Sequence, residues 1–498
     1  MFITKAITFR ALQHTIFTLL QTCNGGSIRN VTQIHTQVII NGLTQKNNIV
    51  AKLISLYITS GFLANADTIF NQINNPSTTI WNQMIRVHGR SGNSKTSFEI
   101  YKQMESAKEA VSNGFTFSFL LSACARSGLL REGQQLHAKV VSNGFSSNLF
   151  VQTNLVNLYE IKDAAKVFDE MSERNVVTWN TLLEGYLRSN DITNAVKLFD
   201  EMPEKTIVSW TMMITGYARN GRSKQAICLF QMMQKSSMEF DQVSLVTALS
   251  ACAEMGNLEL GKWIHSYIYN NFKNKNKPLL VSLNNSLINM YSKCGLVNEA
   301  YNVFNEMPQR TSVSWTSMIN GFSKHGLPDE ALNVFHQMQS DETKRPDEIT
   351  FIGVLSACSH GGYVEKGRNV FNSMVRVWGI QPRIEHYGCM VDLLSRAGLL
   401  EEAYNLVETM PMKANDVVWG ALLGGCRIHK NVELGSRVGL RLLSDLDPGR
   451  AAEGYFVLLS HVYGNSMRWW DAARVRQKMA EMGMKTKPGK SVVELLCS

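Results

Sequence analysis

Apolar residues recur along this chain with the spacing of an α-helix. Four of them share one helical face within 312–324: Trp315, Met318, Ile319 and Phe322. Gly326 follows this segment, where a residue in the left-handed conformation commonly ends a helix. A second segment begins at Pro328 with two acidic residues, which is typical of the first turn of another helix. The pattern therefore predicts two helices joined by a short turn.

The same pair of helices returns throughout the chain. A Trp opens the first helix of several copies, and the second helix repeats the spacing of Ala331, Phe335 and Met338. A period of 31 to 35 residues is typical of stacked two-helix units, in which each unit packs on its neighbours. We therefore predict an all-α fold, a right-handed α-solenoid superhelix of about a dozen helix-turn-helix units.

Three classes of repeat alternate. Repeats of about 35 residues are 78–113, 207–241 and 312–347. Repeats with an LSAC-like phrase are 13–46, 114–148, 242–280 and 348–383. Repeats of about 31 residues are 47–77, 176–206, 281–311 and 384–415. The repeat 149–175 lacks about four residues at the usual turn, so we expect its first helix to be either shortened or continuous with the second.

Charge favours a polyanionic partner. The chain has 498 residues and a net charge of +9, which suits nucleic acid but is also found in ordinary basic proteins. No acidic residue precedes Asp67, and the start of the chain mixes apolar, Thr and basic residues. That start predicts an organellar transit peptide over 1–12, the alternative being a basic first repeat. No apolar run is long enough for a transmembrane helix, so no membrane partner is expected.

The sequence carries no pattern of catalytic chemistry. The nine cysteines form no C-x-x-C pair. Four cysteines share one repeat position, which favours small buried side chains over metal ligands: Cys23, Cys124, Cys252 and Cys358. His35, His137 and His265 share another position and are interpreted as structural. We therefore predict a protein that is not an enzyme, with no catalytic residue, metal or cofactor.

The order of the repeats and the end of the chain resemble a known family. The phrases NMYSKCG, SACSHGG and HYGCMVDLLSRAG, together with the alternating repeat lengths, resemble plant organellar pentatricopeptide repeat proteins of the PLS class. Residues 416–489 look like the two E-type motifs of that class, and 490–498 form a tail. The resemblance implies a TPR-like repeat array over 13–415 and the E subgroup, which has no DYW deaminase domain; H-x-E and C-x-x-C are both missing from this sequence.

Two positions of each repeat are polar where packing would not demand it. Position five, one residue after the recurrent Trp, holds Asn82, Asn180, Thr211, Asn285 and Thr316. The last residue of the same repeats is Asn113, Thr206, Asp241, Thr311 and Asp347. Two such side chains can hydrogen-bond one base edge of single-stranded RNA, and repeat proteins of this kind read about one base per unit. Helix capping explains the last residues equally well, but it explains position five poorly.

The family resemblance implies which base each pair prefers. Thr211/Asp241 and Thr316/Asp347 match the family's pair for G, and Thr153/Asn175 matches its pair for A. Asn82/Asn113 resembles a pyrimidine pair, and Asn180/Thr206 and Asn285/Thr311 depart from the best-defined pairs but lean to a pyrimidine. The family's alignment runs 5′ to 3′ along the chain. Position two is expected to flank the bases, as in Val177, Val208 and Val313.

A basic residue recurs near the end of the first helix. Its members are Arg90, Arg126, Arg188, Arg219, Lys293, Lys324 and Arg396. They are interpreted as a track for RNA phosphates, although cations also favour helix C-termini for electrostatic reasons.

The resulting hypothesis is a monomeric, single-stranded RNA-binding protein of an organelle, favouring the mitochondrion over the chloroplast. It would recognise a site for C-to-U editing and recruit a deaminase or editing factor through 416–489, where Tyr455, Phe456, Trp469 and Trp470 stand out. Splicing, processing or stabilisation of a transcript is the alternative. A peptide-binding scaffold of tetratricopeptide type is the third hypothesis.

Overall fold

The computed structural model describes residues 9–23, 28–107, 110–236, 238–273, 281–341, 343–445 and 453–482. These residues form α-helices and contain no strand, which confirms the all-α solenoid. Residues 1–8 of the predicted transit peptide and the predicted tail 490–498 lie outside them. The handedness of the superhelix stays a prediction. No helix among the described residues has the length and apolar character needed to cross a bilayer.

The chain divides into two compact bodies, each built from helical pairs. In the first body, residues 1–221 and 236–238, the described residues form thirteen helices. They are α1 (Phe9–Thr22), α2 (Ile28–Ile40), α3 (Asn47–Thr59), α4 (Leu63–Asn71), α5 (Thr78–Arg90), α6 (Ser94–Ser106), α7 (Gly114–Ser127), α8 (Leu130–Ser142), α9 (Leu149–Leu158), α10 (Ile161–Asp169), α11 (Val176–Arg188), α12 (Ile192–Glu201) and α13 (Ile207–Arg219).

The second body, residues 222–235 and 239–498, continues the same pattern. Its helices are α14 (Ser223–Lys235), α15 (Gln242–Met255), α16 (Leu258–Ile268), which ends in a π-helical turn (Tyr269–Lys273), α17 (Val281–Lys293), α18 (Val297–Glu306), α19 (Ser312–Lys324), α20 (Pro328–Ser340), α21 (Glu348–Gly361), α22 (Val364–Arg376), α23 (Ile384–Arg396), α24 (Leu400–Thr409), α25 (Asp416–Ile428), α26 (Val432–Asp445), α27 (Glu453–Asn465) and α28 (Trp469–Glu481).

The recurrent Trp and Phe hold consecutive repeats together. Phe304 of one repeat packs edge-on against Trp315 of the next, with ring centroids 4.9 Å apart. Phe168 and Trp179 repeat this contact at 4.8 Å. Aromatic pairs prefer this T-shaped arrangement, and such rings bury a large apolar area. The spacing of Trp and Phe therefore encodes the stacking of one repeat on the next.

First helices pack on one another within each body. In the first body α3, α5, α7, α9, α11 and α13 form one such row, and in the second body α15, α17, α19, α21, α23, α25 and α27 form another. Turn residues set the angle between the two helices of a pair. Gly326, for example, has φ +68°, a left-handed conformation that glycine adopts at low cost.

The repeat 149–175 has a shortened first helix. Helix α9 has 10 residues, whereas α11 has 13. Tyr159 and Glu160 are extended, with ψ near 155°, so the chain breaks before α10 begins. Of the two expectations for this repeat, shortening is correct and a continuous helix is wrong.

The recurrent Cys and His residues lie in structural environments, but one of the cysteines is less buried than predicted. Cys124, Cys252 and Cys358 are fully buried, but Cys23 is only partly buried because it lies at the end of α1, on the edge of the core. Each recurrent His bonds a Tyr of the next repeat through Nδ1: His35 to Tyr57 at 3.1 Å, His137 to Tyr159 at 2.7 Å and His265 to Tyr291 at 2.9 Å.

Candidate nucleic-acid interface

Position five of one repeat meets the last residue of the same repeat where two first helices pack together. The last residue is also the N-cap of the next first helix. Asn82 of α5 lies 3.1 Å from Asn113, which caps α7 by accepting from the backbone N–H of Thr116. The side chain thus serves as a cap and as a neighbour of position five, so the two interpretations of the unit ends are compatible.

A third residue, which the sequence interpretation missed, contacts position five in the clusters of Asn82, Thr153 and Thr316. It is the Ser or Thr three residues after the cap, namely Thr116, Thr178 and Thr350. The same position holds Ser209, Ser244 and Ser314 in other repeats, and all six residues are fully buried. This residue is part of the recurrent phrase around the Trp, so its recurrence could have indicated a role. Its hydroxyl decides which hydrogen-bonding groups the other two residues keep for a ligand.

The cluster of Asn82, Asn113 and Thr116 presents donors. Thr116 Oγ1 donates to Asn82 Oδ1 at 2.7 Å, and Asn82 Nδ2 donates to Asn113 Oδ1 at 3.1 Å. Asn113 Oδ1 also accepts from two backbone N–H groups. Both amide nitrogens therefore keep N–H groups that no described residue accepts. Donors of this kind complement the acceptors of a pyrimidine, which are O2 in both bases together with N3 of cytosine or O4 of uracil.

The cluster of Thr316, Asp347 and Thr350 presents acceptors. Thr350 Oγ1 donates its single proton to Asp347 Oδ1 at 2.7 Å. Thr316 Oγ1 lies 2.7 Å from Thr350 Oγ1, so Thr316 must be the donor there. The outward groups are then the lone pairs of Thr316 and the second carboxylate oxygen of Asp347. Two adjacent acceptors complement the N1–H and N2–H donors of guanine.

The cluster of Thr153, Asn175 and Thr178 mixes the two kinds of group. Thr153 Oγ1 donates to the Leu149 carbonyl at 2.8 Å and contacts Thr178 Oγ1 at 3.0 Å. Asn175 Oδ1 caps α11 and accepts from Thr178 Oγ1 at 2.9 Å, which leaves its Nδ2 as a donor. An acceptor beside a donor complements the N1 and N6 groups of adenine. The shortened α9 therefore retains its cluster.

Asn180 and Asn285 have a different environment. In each, Oδ1 is buried without a hydrogen-bond partner. The nearby Ser209 Oγ instead donates to the Thr206 carbonyl at 2.9 Å, and Thr311 forms a capping box with Ser314. An unsatisfied buried acceptor costs about 1–3 kcal/mol, so packing stability alone does not explain an Asn here.

Thr211 and Asp241 lie in different bodies and are described separately. Thr211 is buried in α13 of the first body. Asp241 caps α15 in the second body and accepts from the Ser244 backbone N–H at 2.8 Å. Each residue thus has the placement of its counterparts, and their joint action stays a prediction.

Position two is exposed along the first helices. Apolar residues that stand more than half exposed there are Phe115, Phe150, Val177, Val208, Val243, Val313, Ile349 and Val417. Exposed apolar side chains at one fixed position provide surfaces against which bases can stack. Val177, Val208 and Val313 are thus exposed, and their contact with bases stays a prediction.

The basic stripe lies in the last turn of the first helices, and all seven side chains are exposed. Two of them are paired with carboxylates: Arg188 with Glu184 at 3.1 Å and Arg396 with Asp392 at 2.9 Å. In the part of the chain that the structure describes, the other five make no ion pair. The free cations thus remain available for phosphates.

The aromatic residues of the segment 416–489 separate into two groups. Phe456 is 3% exposed and belongs to the core, and Tyr455 is half-buried against Gly420. These two residues therefore cover the apolar face of their neighbours, as a cap of the repeat array would, and Phe456 contributes no exposed surface. Trp469 and Trp470 begin α28 and are 65% and 85% exposed.

Comparison with protein families finds repeats and an E motif. The description "PPR repeat" matches 79–108, 115–145, 285–311, 313–342, 349–377 and 385–413. The description "PPR repeat family" matches 174–207 and 205–254. The description "E motif" matches 429–494.

Similar proteins are found among plant sequences and structures. Pentatricopeptide repeat-containing protein At5g66520 of Arabidopsis thaliana is 41% identical over 496 residues, which cover 97% of this chain and 78% of that protein. The Arabidopsis protein At1g59720, described as chloroplastic/mitochondrial, is 35% identical over 96% of this chain and 72% of its own length. The maize protein PPR10, in complex with an 18-nt psaJ RNA element, shares the fold at TM-score 0.59 and 18% identity, over 97% of this chain and 76% of that chain.

Proposed function

This chain belongs to the pentatricopeptide repeat family, and on that premise we propose that it binds single-stranded RNA of an organelle in a sequence-specific manner. The observation that carries the proposal is the polar cluster at three junctions of first helices, between α5 and α7, α9 and α11, and α19 and α21. The clusters of Asn82 and of Thr316 occupy the same place between two first helices. The first leaves N–H donors for a ligand, and the second leaves oxygen acceptors. A constant scaffold with a variable polar pair is what reading a sequence one base at a time requires.

The surroundings of the clusters favour RNA over a peptide. Exposed apolar residues at position two supply stacking surfaces, and the basic stripe supplies charge for phosphates. A peptide-binding scaffold would need neither feature in register with the polar pairs. Binding is tested by titrating labelled single-stranded RNA, duplex RNA and DNA against the purified protein. Retention of single-stranded RNA alone at moderate salt supports the proposal, and equal retention of all three contradicts sequence reading.

We further propose that the bound RNA contains a site of C-to-U editing. The match to the E motif at 429–494 supports this role, because the family resemblance links that motif to editing partners. In this proposal the deaminase is a separate chain that this segment recruits. Its docking surface would include Trp469 and Trp470, since large exposed aromatic side chains mark interaction sites.

The editing role is tested in a plant that lacks this protein. Organellar transcripts are sequenced in full, and the site bound by the protein is mapped on the same RNA. Loss of editing at one C just 3′ of the bound site supports the proposal. Normal editing together with an unspliced intron, or with the absence of a mature transcript end, would assign the protein to splicing, processing or stabilisation instead.

We propose the mitochondrion as the organelle, because the start of the chain contains Arg and little Ser. The relative described as chloroplastic/mitochondrial supports an organelle without choosing between the two. Fluorescence of the full chain fused to a reporter tests the choice. A signal confined to plastids would assign the protein to the chloroplast. We also propose that the protein acts as a monomer, which light scattering of the RNA-free protein tests.

A further inference from the structure

Three arginines converge on one small cavity between α5 and α7. Arg86, Arg90 and Arg126 line it together with Ser118, Ser122 and Phe119, and its volume is about 200 Å³. A bound water occupies about 30 Å³, so the cavity has room for a phosphate group and several waters. Its lining residues on α5 and α7 follow Asn82 and Asn113 by about one to two helical turns, in the first body.

The cavity offers hydrogen-bond donors without a matching carboxylate. Helices α5, α7 and α9 contain no Asp or Glu, and in the described part of the chain none of the three arginines makes an ion pair. Arg126 Nη2 donates to Ser122 Oγ at 3.1 Å, and Asn154 Nδ2 donates to Ser118 Oγ at 2.9 Å. Both serines act as acceptors in these contacts, so each hydroxyl proton remains for a ligand. Ser118 is 6% exposed, so its free proton is buried inside the cavity wall.

The positive charge of the cavity exceeds the single negative charge of an internal phosphodiester. A phosphodiester carries one charge and two free oxygens, whereas a terminal phosphate carries nearly two charges and three free oxygens. Three guanidinium groups and two hydroxyls match the terminal group better. The other first helices of the basic stripe each place a single cation at this point, and Glu184 and Asp392 already neutralise two of these cations.

The surroundings point to a nucleotide rather than to free phosphate. Arg86 lies over the Phe119 ring at 5.4 Å. The ring of Phe119 lies 6.3 Å from that of Phe115, and the ring of Phe115 lies 5.7 Å from that of Phe150, between centroids. Phe115 and Phe150 are more than half exposed, and they are aromatic where Val or Ile is usual at position two. Base stacking on such rings is favourable for any base.

The basic track also begins at this cavity. The last turns of α1 and α3 contain no basic residue, and α5 contributes the first one, Arg90. With the family's 5′-to-3′ alignment, the start of the track corresponds to the 5′ end of the bound RNA. We propose that this cavity binds the 5′-monophosphate of an RNA whose first base contacts Asn82 and Asn113. This end recognition rests on the proposed RNA binding and adds a second activity to it, the selection of processed transcript ends.

The test compares four forms of one short RNA that matches the predicted motif: 5′-phosphate, 5′-hydroxyl, 3′-phosphate, and a form extended at its 5′ end. We expect the full chain to bind the 5′-phosphate form about tenfold more tightly than the other three, as an additional charge-assisted contact implies. The advantage should shrink as pH falls below about 6, where the terminal phosphate gains a proton. Equal binding of the 5′-phosphate and 5′-hydroxyl forms, or a preference for 3′-phosphate, would overturn the inference.

Variants separate this site from general RNA binding. Arg86→Gln, which lies outside the basic stripe, should reduce the advantage of the 5′-phosphate to less than about threefold while binding of the 5′-hydroxyl RNA persists. Arg131→Gln, an exposed residue of the second helix α8, should leave the tenfold ratio unchanged. An undiminished ratio in Arg86→Gln contradicts the site. Failure of the wild-type chain to bind any form contradicts the proposed function itself.

Discussion

Replacement of Asp347 by Asn should change the base that the repeat 312–347 prefers. Asp347 caps α21 through Oδ1, which accepts from the Thr350 backbone N–H at 2.8 Å and from Thr350 Oγ1 at 2.7 Å. An Asn keeps this oxygen and caps helices as well as Asp does, so the fold should lose no more than about 1 kcal/mol. The second carboxylate oxygen becomes an NH₂ group, and one outward acceptor turns into a donor.

The magnitude follows from the hydrogen bonds at this cluster. Thr316 remains an acceptor, so the variant presents an acceptor beside a donor, as Thr153 and Asn175 do. Guanine would place its N2–H group against another N–H group, and adenine would gain a complementary pair. One bidentate base contact is worth about 1–3 kcal/mol. That range corresponds to a change of about 5- to 150-fold in the ratio of the affinities for G and A.

The assay measures the affinity of the protein for four RNAs that differ only at the nucleotide facing this repeat. The wild type should prefer G at this nucleotide, and Asp347→Asn should prefer A. For RNAs that differ at other nucleotides, the variant should show the same preferences as the wild type. Asp191→Asn is the matched control, because Asp191 caps a second helix, α12, and lies outside the junctions of first helices. An unchanged preference for G in Asp347→Asn would refute the assignment of base reading to this pair.

Four further changes test other parts of the account. The logarithm of the affinity falls as the logarithm of the salt concentration rises, and Lys324→Ala should make this negative slope less steep by about 0.7, because one phosphate contact is lost. Lys166→Ala on α10 should leave the slope unchanged, and titrations at several salt concentrations check both expectations. Phe304→Ala removes a ring that is 1% exposed and should cost about 3–5 kcal/mol of unfolding free energy in urea denaturation. Trp470→Ala should change that free energy by less than about 0.5 kcal/mol, yet reduce editing of the target C in complemented plants. Burial lowers the pKa of His137 below 6.5, so the unfolded chain takes up the proton more readily, and the free energy of unfolding should fall from pH 7 to pH 5 less steeply in His137→Gln than in the wild type.

Most of the fold could be predicted from the sequence because its rules are local. The spacing of Trp315 and Phe304 encodes both the helical face and the contact between repeats, and the structure places the two rings in contact. The break between α9 and α10 could not be resolved from the sequence, since the segment contains neither Gly nor Pro. The extended backbone of Tyr159 and Glu160 decides it.

The candidate site could be predicted only in part. The pairing of Asn82 with Asn113 follows from the repeat length, because the last residue of a repeat caps the helix that packs beside position five. The role of Thr116 was missed, since a small polar residue in the first turn of a helix looks like an ordinary member of a capping box. The sequence could not separate the buried Phe456 from the exposed Trp469 and Trp470, because only the neighbours of α27 and α28 determine which aromatic side chain is covered.

Selection of RNA from a randomised pool by the full-length protein tests the central claim most directly. The clusters, read from the repeat 78–113 onward, predict the motif pyrimidine, any base, A, pyrimidine, G, any base, pyrimidine, G, any base, any base. Enrichment of this order, with G facing the repeats 207–241 and 312–347, is the result that the account predicts. Enrichment of an unrelated motif, or of no motif, would contradict the claim that the polar pairs read bases.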